Sequence, residues 1–95
     1  MKGLKKKFRK VKEQITRIFE LPAESIEGAY RIITIGDKSL YMENHMAIRE
    51  YTLKKLRIET KKNEVIIMGN DLILRKMGER NLMVEGDIKI IEFKD

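Results

Sequence analysis

The sequence has no cysteine and no tryptophan, and only one proline and one histidine among its 95 residues. Without cysteine the chain can form neither disulfides nor thiolate metal sites, and cysteine usage indicates no redox compartment. No apolar run approaches the roughly 18 residues of a membrane-spanning helix. The basic amino terminus also lacks the apolar stretch of a signal peptide. We therefore expect one small domain in the cytoplasm.

Charge is abundant but unevenly distributed along the chain. The first 20 residues contain eight basic and two acidic side chains, which equals the net charge of +6 of the whole chain. The remaining 75 residues carry 13 basic and 13 acidic side chains and are neutral overall. This division indicates a basic amino-terminal arm and a neutral body. A body of this size buries only about 60–65% of its unfolded surface, so association with another chain would stabilise it.

The arm has the periodicity of an amphipathic helix. At about 100° per residue, six of its apolar side chains fall within one arc of about 100°, and every lysine and arginine lies outside that arc. These six residues form the apolar stripe: Leu4, Phe8, Val11, Ile15, Ile18 and Phe19. Pro22 disfavours helical geometry at Leu21, so the helix is predicted to end near Glu20. We assign residues 1–21 to this helix and residues 22–95 to a separate domain.

Four interpretations of the arm remain open. The stripe packs on the body of the chain, enters an anionic membrane interface, or binds a groove of a protein partner. Alternatively, the basic face binds nucleic acid through its phosphates; we do not expect this, because the arm presents no aromatic platform on which bases could stack. The candidate membrane- or partner-binding residues are Leu4, Lys5, Lys6, Lys7, Phe8, Arg9, Lys10, Val11, Lys12 and Ile15.

After the proline the periodicity changes from helical to alternating. Seven short apolar runs predict strands at residues 30–35, 39–43, 52–59, 64–68, 72–76, 81–85 and 88–93. The predicted turns between them lie at Gly36-Asp37, Lys62-Asn63, Gly69-Asn70-Asp71, Gly78-Glu79 and Gly86-Asp87. This spacing is typical of all-β folds. The predicted fold is a small antiparallel β-sandwich preceded by a basic amphipathic α-helix.

Three segments, beginning at Ile33, Ile66 and Met83, share one pattern: an apolar strand, a glycine followed by Asp or Asn, and a second apolar strand. Hairpin turns produce this pattern because Gly, Asn and Asp tolerate positive φ angles, and we favour that interpretation. The alternative is a β-solenoid whose stacked ends would polymerise.

The chain offers little for catalysis. Its one histidine, His45, has Glu43 and Glu50 nearby in the sequence, but a zinc site needs three or four ligands. Neither serine lies in a strained nucleophile turn, and no glycine-rich phosphate loop occurs. We expect no enzyme, no metal, no cofactor and no small-molecule substrate. The segment Asn44-His45 is predicted to be a structural turn between strands.

The centre of the chain carries a distinctive run, Met42-Glu43-Asn44-His45, followed by Ile48 and then Tyr51-Thr52. Further matching positions are Ile35-Gly36, Leu40, Ile58, Ile67-Met68-Gly69, Leu72, Leu74, Gly86 and Ile88, with a basic segment leading into Leu21-Pro22. Over residues 21–93 this pattern resembles the YabP/YqfC family of sporulation proteins, and the YqfC branch more closely. Two positions depart from the family: Met46-Ala47 replace a basic residue and glycine, and Asn63 replaces a glycine.

The resemblance implies a protein made in the mother cell of a sporulating bacterium, with a role in building the spore envelope or coat. It implies a β-sandwich-like fold and no catalytic residues, and it gives Glu43, Asn44 and His45 as a family motif with a structural role. We expect a non-enzymatic assembly or adaptor module whose arm engages an anionic membrane, such as that of the forespore, or a protein partner. The alternatives are a nucleic-acid-binding regulator and a self-polymerising structural subunit, that is, a homo-oligomer.

Overall fold

The computed structural model describes residues 28–95; the predicted arm helix lies outside the described residues. The described part contains six strands in chain order. They are β1 (Arg31–Ile35), β2 (Ser39–Glu43), β3 (Ala47–Tyr51), β4 (Lys55–Glu59), β5 (Glu64–Lys76) and β6 (Asn81–Lys94). The predicted all-β class is therefore confirmed for this part of the chain.

All six strands belong to one antiparallel sheet in the order β1-β2-β6-β5-β4-β3. Four of the five neighbouring pairs join strands that follow each other in the chain. The pairing of β2 with β6 is the exception, and it brings Leu40 opposite Val84. The strands thus form one sheet rather than the two separate sheets that a sandwich implies.

The sheet curves over a single hydrophobic core. Side chains of β2, β4, β5 and β6 that point to one face of the sheet belong to one buried cluster, and most of them have no exposed surface. The cluster consists of Leu40, Met42, Leu56, Ile58, Val65, Ile67, Leu72, Leu82, Val84 and Ile88. A flat single sheet would leave such side chains open to water, so their burial requires the β2 side and the β4 side to face each other across the core.

The curvature is concentrated in the two long strands, β5 and β6. Their register shifts between Met68 and Gly69 and again between Asn70 and Ile73. A Cβ atom on Gly69 would lie only 2.0 Å from the carbonyl oxygen of Asp87, so no other residue fits without a shift of the backbone. Gly86, with φ at +142°, approaches the carbonyl oxygen of Asp71 in the same way. Close approach and positive φ both require glycine here.

These bends correct the predicted turns at Gly69-Asn70-Asp71 and Gly86-Asp87. Both segments lie inside a strand, so four of the seven predicted strands merge into β5 and β6. The repeated pattern therefore has two meanings: Gly36-Asp37 forms a hairpin turn, whereas the other two copies are bends that face each other. The antiparallel strand order also differs from that of a solenoid of stacked repeats.

The strand β3 was not predicted, and the predicted strand at residues 52–59 begins too early. Thr52 starts a tight turn instead, where its side-chain oxygen accepts hydrogen bonds from the amides of Lys54 (3.1 Å) and Lys55 (2.9 Å). The pairing of β3 with β4 shifts register between Ile48 and Glu50. This irregularity breaks the strict alternation by which an edge strand is recognised in a sequence.

Candidate functional site

The family motif lies at the end of β2, where the chain turns towards β3. Asn44 has a left-handed backbone conformation, with φ at +66°, which asparagine tolerates better than most residues. Its side-chain amide donates a hydrogen bond to the carbonyl oxygen of Ala29, just before β1. Glu43 lies 3.8 Å from the guanidinium of Arg31. Both side chains therefore connect β2 to the segment that begins the sheet.

His45 lies in the same loop and is only 1% exposed. Its backbone amide donates to the carbonyl oxygen of Arg80 at 3.1 Å, which connects the loop to the hairpin between β5 and β6. The Nδ1 atom of the imidazole is buried and has no hydrogen-bond partner. Burial lowers the pKa of His45; a backbone hydrogen bond at Arg80 opposes this shift, and the charges of Lys76 and Arg80 add to it. Burial and these two positive charges therefore favour the neutral form of the imidazole.

The acidic residues near His45 in the sequence form ion pairs with other strands. Glu50 lies 3.4 Å from the guanidinium of Arg57, so its carboxylate pairs with that arginine rather than with the imidazole of His45. Within residues 28–95 no group of three or more His, Cys, Asp or Glu side chains is placed to hold a metal ion. Over the same residues there is no helix of the length and hydrophobicity that crossing a bilayer requires.

An open depression of about 540 Å³ lies at the turn between β4 and β5. Its lining carries both signs of charge, and oppositely charged groups contact each other, with Arg57 and Glu64 2.8 Å apart. A hydrogen bond from Arg57 lowers the pKa of Glu64. Because its lining mixes both signs of charge, the depression has no single-sign character that would select an anion or a cation.

The strand β6 has two halves with different neighbours. The paired half, residues 81–85, lies between β2 and β5. The open half, residues 88–94, has β5 as its one neighbouring strand within residues 28–95, and at its other edge the amide of Ile88 donates to the carbonyl oxygen of Asp37 at 2.9 Å. Ile90 is 50% exposed and Phe93 is 59% exposed, the largest value for any hydrophobic side chain described.

The two exposed side chains of the open half point to opposite faces of the sheet. Phe93 pairs with the core residue Val65, whereas Ile90 pairs with Met68. Since positions 90 and 93 differ by an odd number, they alternate in direction along the strand. A strand lying beside this edge would contact both side chains, and a partner on one face would contact only one.

The second half of β5, residues 69–76, also lacks a neighbouring strand on one edge, but there the side chain of Tyr51 contacts the backbone. The Tyr51 hydroxyl donates to the carbonyl oxygen of Leu72 at 2.8 Å and accepts from the amide of Leu74 at 3.1 Å. One side chain thus occupies backbone groups that would otherwise be free to pair with another strand. The open half of β6 is consequently the more accessible strand edge of the two.

The ten arm residues predicted to bind a membrane or a partner lie outside the described residues, and their role stays a prediction. The structure brings Glu43, Asn44 and His45 together in one loop, where they connect strands. Sequence reasoning identified the run at residues 88–93 as a strand but missed Ile90 and Phe93 as surface residues. Their alternation in the last strand was visible, but the missing neighbour was not.

Comparison with known proteins gives a consistent result. The model of the YabP family matches residues 27–95. The uncharacterized protein YqfC of Bacillus subtilis (strain 168) is 24% identical over 84 residues, covering 88% of this chain and 90% of the relative. No solved structure matches the chain.

Proposed function

The chain belongs to the YabP family, and on this premise we propose that it is a non-enzymatic assembly module of sporulating cells. It acts in the mother cell, where the spore envelope or coat is built. The β body supplies a strand edge through which copies of the protein associate. The basic arm attaches these copies to the anionic outer membrane of the forespore.

The open half of β6 is the observation that supports assembly. An unpaired strand edge offers backbone donors and acceptors to a strand from another chain. Ile90 and Phe93 add apolar surface on both sides of the edge, at 50% and 59% exposure. Lys89 and Lys94 are exposed at the two ends of this segment. Charged ends oppose unspecific pairing, so the edge favours one matched partner over open aggregation.

A second copy of this chain is the partner that fits this edge. The segment carries Lys89, Glu92 and Lys94, so it has both signs of charge along a short strand. Two antiparallel copies would bring the open halves together around a two-fold axis, the commonest symmetry of soluble oligomers. The small size of the body adds a reason, because pairing would bury surface that the body alone leaves in water.

Sedimentation of the full chain across a range of concentrations tests the assembly. We expect concentration-dependent association that Phe93→Lys weakens by about tenfold or more, equivalent to about 1.4 kcal/mol. Leu53→Lys is the matched control, since Leu53 is 57% exposed and lies in the turn between β3 and β4. A full chain that stays monomeric, or equal effects of the two substitutions, would contradict assembly through this edge.

The attachment is tested by binding to vesicles containing anionic lipid. The double substitution Phe8→Glu, Ile15→Glu should abolish binding, because both side chains belong to the apolar stripe and an in-plane helix requires that stripe. Lys6→Gln with Lys10→Gln changes the net charge equally but leaves the stripe intact, so part of the binding should remain. Binding to DNA, measured in parallel, tests the alternative of a nucleic-acid-binding arm. DNA binding that weakens equally in both double variants and with added salt would indicate that the arm binds nucleic acid through its charge.

A further inference from the structure

A second apolar cluster lies on the outward face of the sheet, turned away from the core. We define this outward cluster as Tyr41, Met83, Ile33 and Met77. Tyr41 lies between the core residues Leu40 and Met42, so its side chain points to the opposite face of β2. Tyr41 is 2% exposed and Met83 is 1% exposed, values typical of a core.

The register places Ile33, Tyr41 and Met83 in one row across β1, β2 and β6. Within residues 28–95 the structure consists of one sheet, and no second layer of strands or helices lies over this row. The hydrophobic side chains that pack beside Tyr41 and Met83 there are Ile33 and Met77. The outward face of a single sheet is normally polar and wet; a buried tyrosine on it requires a cover.

We propose that the cover is the arm of the same chain, with its apolar stripe packed on the outward cluster. The predicted helix over residues 4–19 is about 24 Å long, enough to cross strands spaced about 4.8 Å apart. Gly28, the first described residue, lies beside the turn between β4 and β5, where a Cβ on it would be 3.2 Å from the Lys61 side chain, and the chain then enters the edge strand β1 at Arg31. Residues 20–27 can span at most about 29 Å, which allows the arm to reverse direction and reach the face.

The chemistry of the two surfaces is complementary. The stripe presents six apolar side chains, and the outward cluster presents four. On a helical wheel Lys7 and Lys12 flank the stripe on its two sides, about 20° outside the apolar arc. Glu43 and Glu85 lie on the outward face, two positions from Tyr41 and Met83 along β2 and β6, and already pair with Arg31 at 3.8 Å and Arg75 at 3.7 Å. The match between the stripe and the outward cluster is therefore apolar rather than electrostatic.

This docking concerns the same arm as the proposed membrane attachment and rests on the same predicted helix. One stripe cannot be buried on the body and in lipid at once. Attachment to a membrane would therefore release the arm and uncover Tyr41 and Met83. The docked arm holds the protein in a form that does not bind membranes until lipid competes for the stripe.

The absence of cysteine permits a direct test in the full chain. The substitution Glu13→Cys gives a single cysteine, on the helix side opposite the stripe, to which a spin label can be attached. Five of the six methionines lie in the described residues, and the NMR signals of their methyl groups report the distance to the label. We expect the strongest paramagnetic broadening at Met83 and Met77 and the weakest at Met46 and Met68. Adding Phe8→Glu and Ile15→Glu should abolish this gradient, and adding Lys6→Gln and Lys10→Gln should leave it unchanged.

Equal broadening at all methionines, or a gradient that survives the two stripe substitutions, would overturn the docking. Anionic vesicles added to the same labelled protein separate this result from the proposed function. If the protein binds vesicles through the stripe but shows no broadening gradient when vesicles are absent, attachment stands and docking fails. Vesicle binding with an unchanged gradient means that docking stands and attachment through the stripe fails.

Discussion

The two halves of β6 have the same alternating hydrophobic pattern in opposite surroundings. In the paired half, Leu82 and Val84 have no exposed surface, because β2 and β5 flank them on both sides. In the open half, Ile90 is 50% exposed and Phe93 is 59% exposed, because β5 is the one neighbouring strand within residues 28–95. The number of neighbouring strands, not the local sequence, divides β6 into a half flanked by strands on both sides and a half with one open edge.

The largest effect should come from truncating one side chain in each half. Leu82→Ala removes a fully buried side chain and is expected to lower the free energy of unfolding by about 2–5 kcal/mol. Ile90→Ala removes a side chain that is 50% exposed, so the loss should stay near or below about 1 kcal/mol. Urea unfolding of both variants measures the difference. Equal losses would remove the distinction between the two halves.

The bend that separates the halves can be broken at Gly69. Gly69→Ala should lower the free energy of unfolding by about 1–3 kcal/mol or more, because the new Cβ would collide with the Asp87 carbonyl at 2.0 Å. Gly78→Ala is the control, since the nearest atom to its new Cβ is the side-chain nitrogen of Asn81 at 3.9 Å. Thermal unfolding compares the two. A neutral Gly69→Ala would mean that the strands do not approach each other so closely.

Acid should destabilise the body through His45, which joins the β2–β3 loop to the start of the paired half. Its pKa is lowered by burial from the ordinary 6.5, so between the folded and unfolded pKa values the unfolded chain binds the additional proton. Stability is therefore complete above about pH 6.5 and falls as the pH decreases, by at most about 1.4 kcal/mol per pH unit.

Unfolding measured between pH 7.5 and pH 5 checks this expectation. His45→Asn should remove the slope in that range, because His45 is the one histidine of the chain. Glu64 and Asp87, whose pKa values are lowered by hydrogen bonds from Arg57 and Lys38, lose their contributions only at lower pH. A slope that persists in His45→Asn would assign the acid sensitivity to another group.

A smaller effect should follow from removing the side chain that protects the edge of β5. Tyr51→Phe loses hydrogen bonds to Leu72 and Leu74, and is expected to lower the free energy of unfolding by about 1–2 kcal/mol. Tyr30→Phe, at a residue whose ring packs against the core, is the control and should change stability by less than about 0.5 kcal/mol. Faster amide exchange at Leu74 in Tyr51→Phe would confirm the protection, and an unchanged rate would contradict it.

Much of the strand content could be predicted from the sequence because hairpins are local. The runs at residues 30–35 and 39–43 and the turn at Gly36-Asp37 are where the alternation and the turn residues place them. The bends at Gly69 and Gly86 were mistaken for turns, because glycine followed by Asp or Asn serves both purposes. The open half of β6 could not be predicted, since it results from the pairing of β2 with β6, which joins distant parts of the chain.

The family motif shows a similar limit. Its place between two strands was predicted, whereas the burial of His45 follows from its contact with Arg80 in a different hairpin. No local pattern contains that contact. The burial of Tyr41 could not be predicted either. Its position in an alternating strand predicts that the side chain points away from the core, but not that other groups cover it there.

Amide hydrogen exchange at several protein concentrations tests the central claim most directly. Amides of the paired half, residues 81–85, should be protected at every concentration, because β2 and β5 already satisfy them. In the open half, the amides between residues 89 and 94 that face the free edge rather than β5 should gain protection as the concentration rises, and Phe93→Lys should prevent that gain. Protection of these amides that is independent of concentration and unchanged in Phe93→Lys would contradict assembly through this edge.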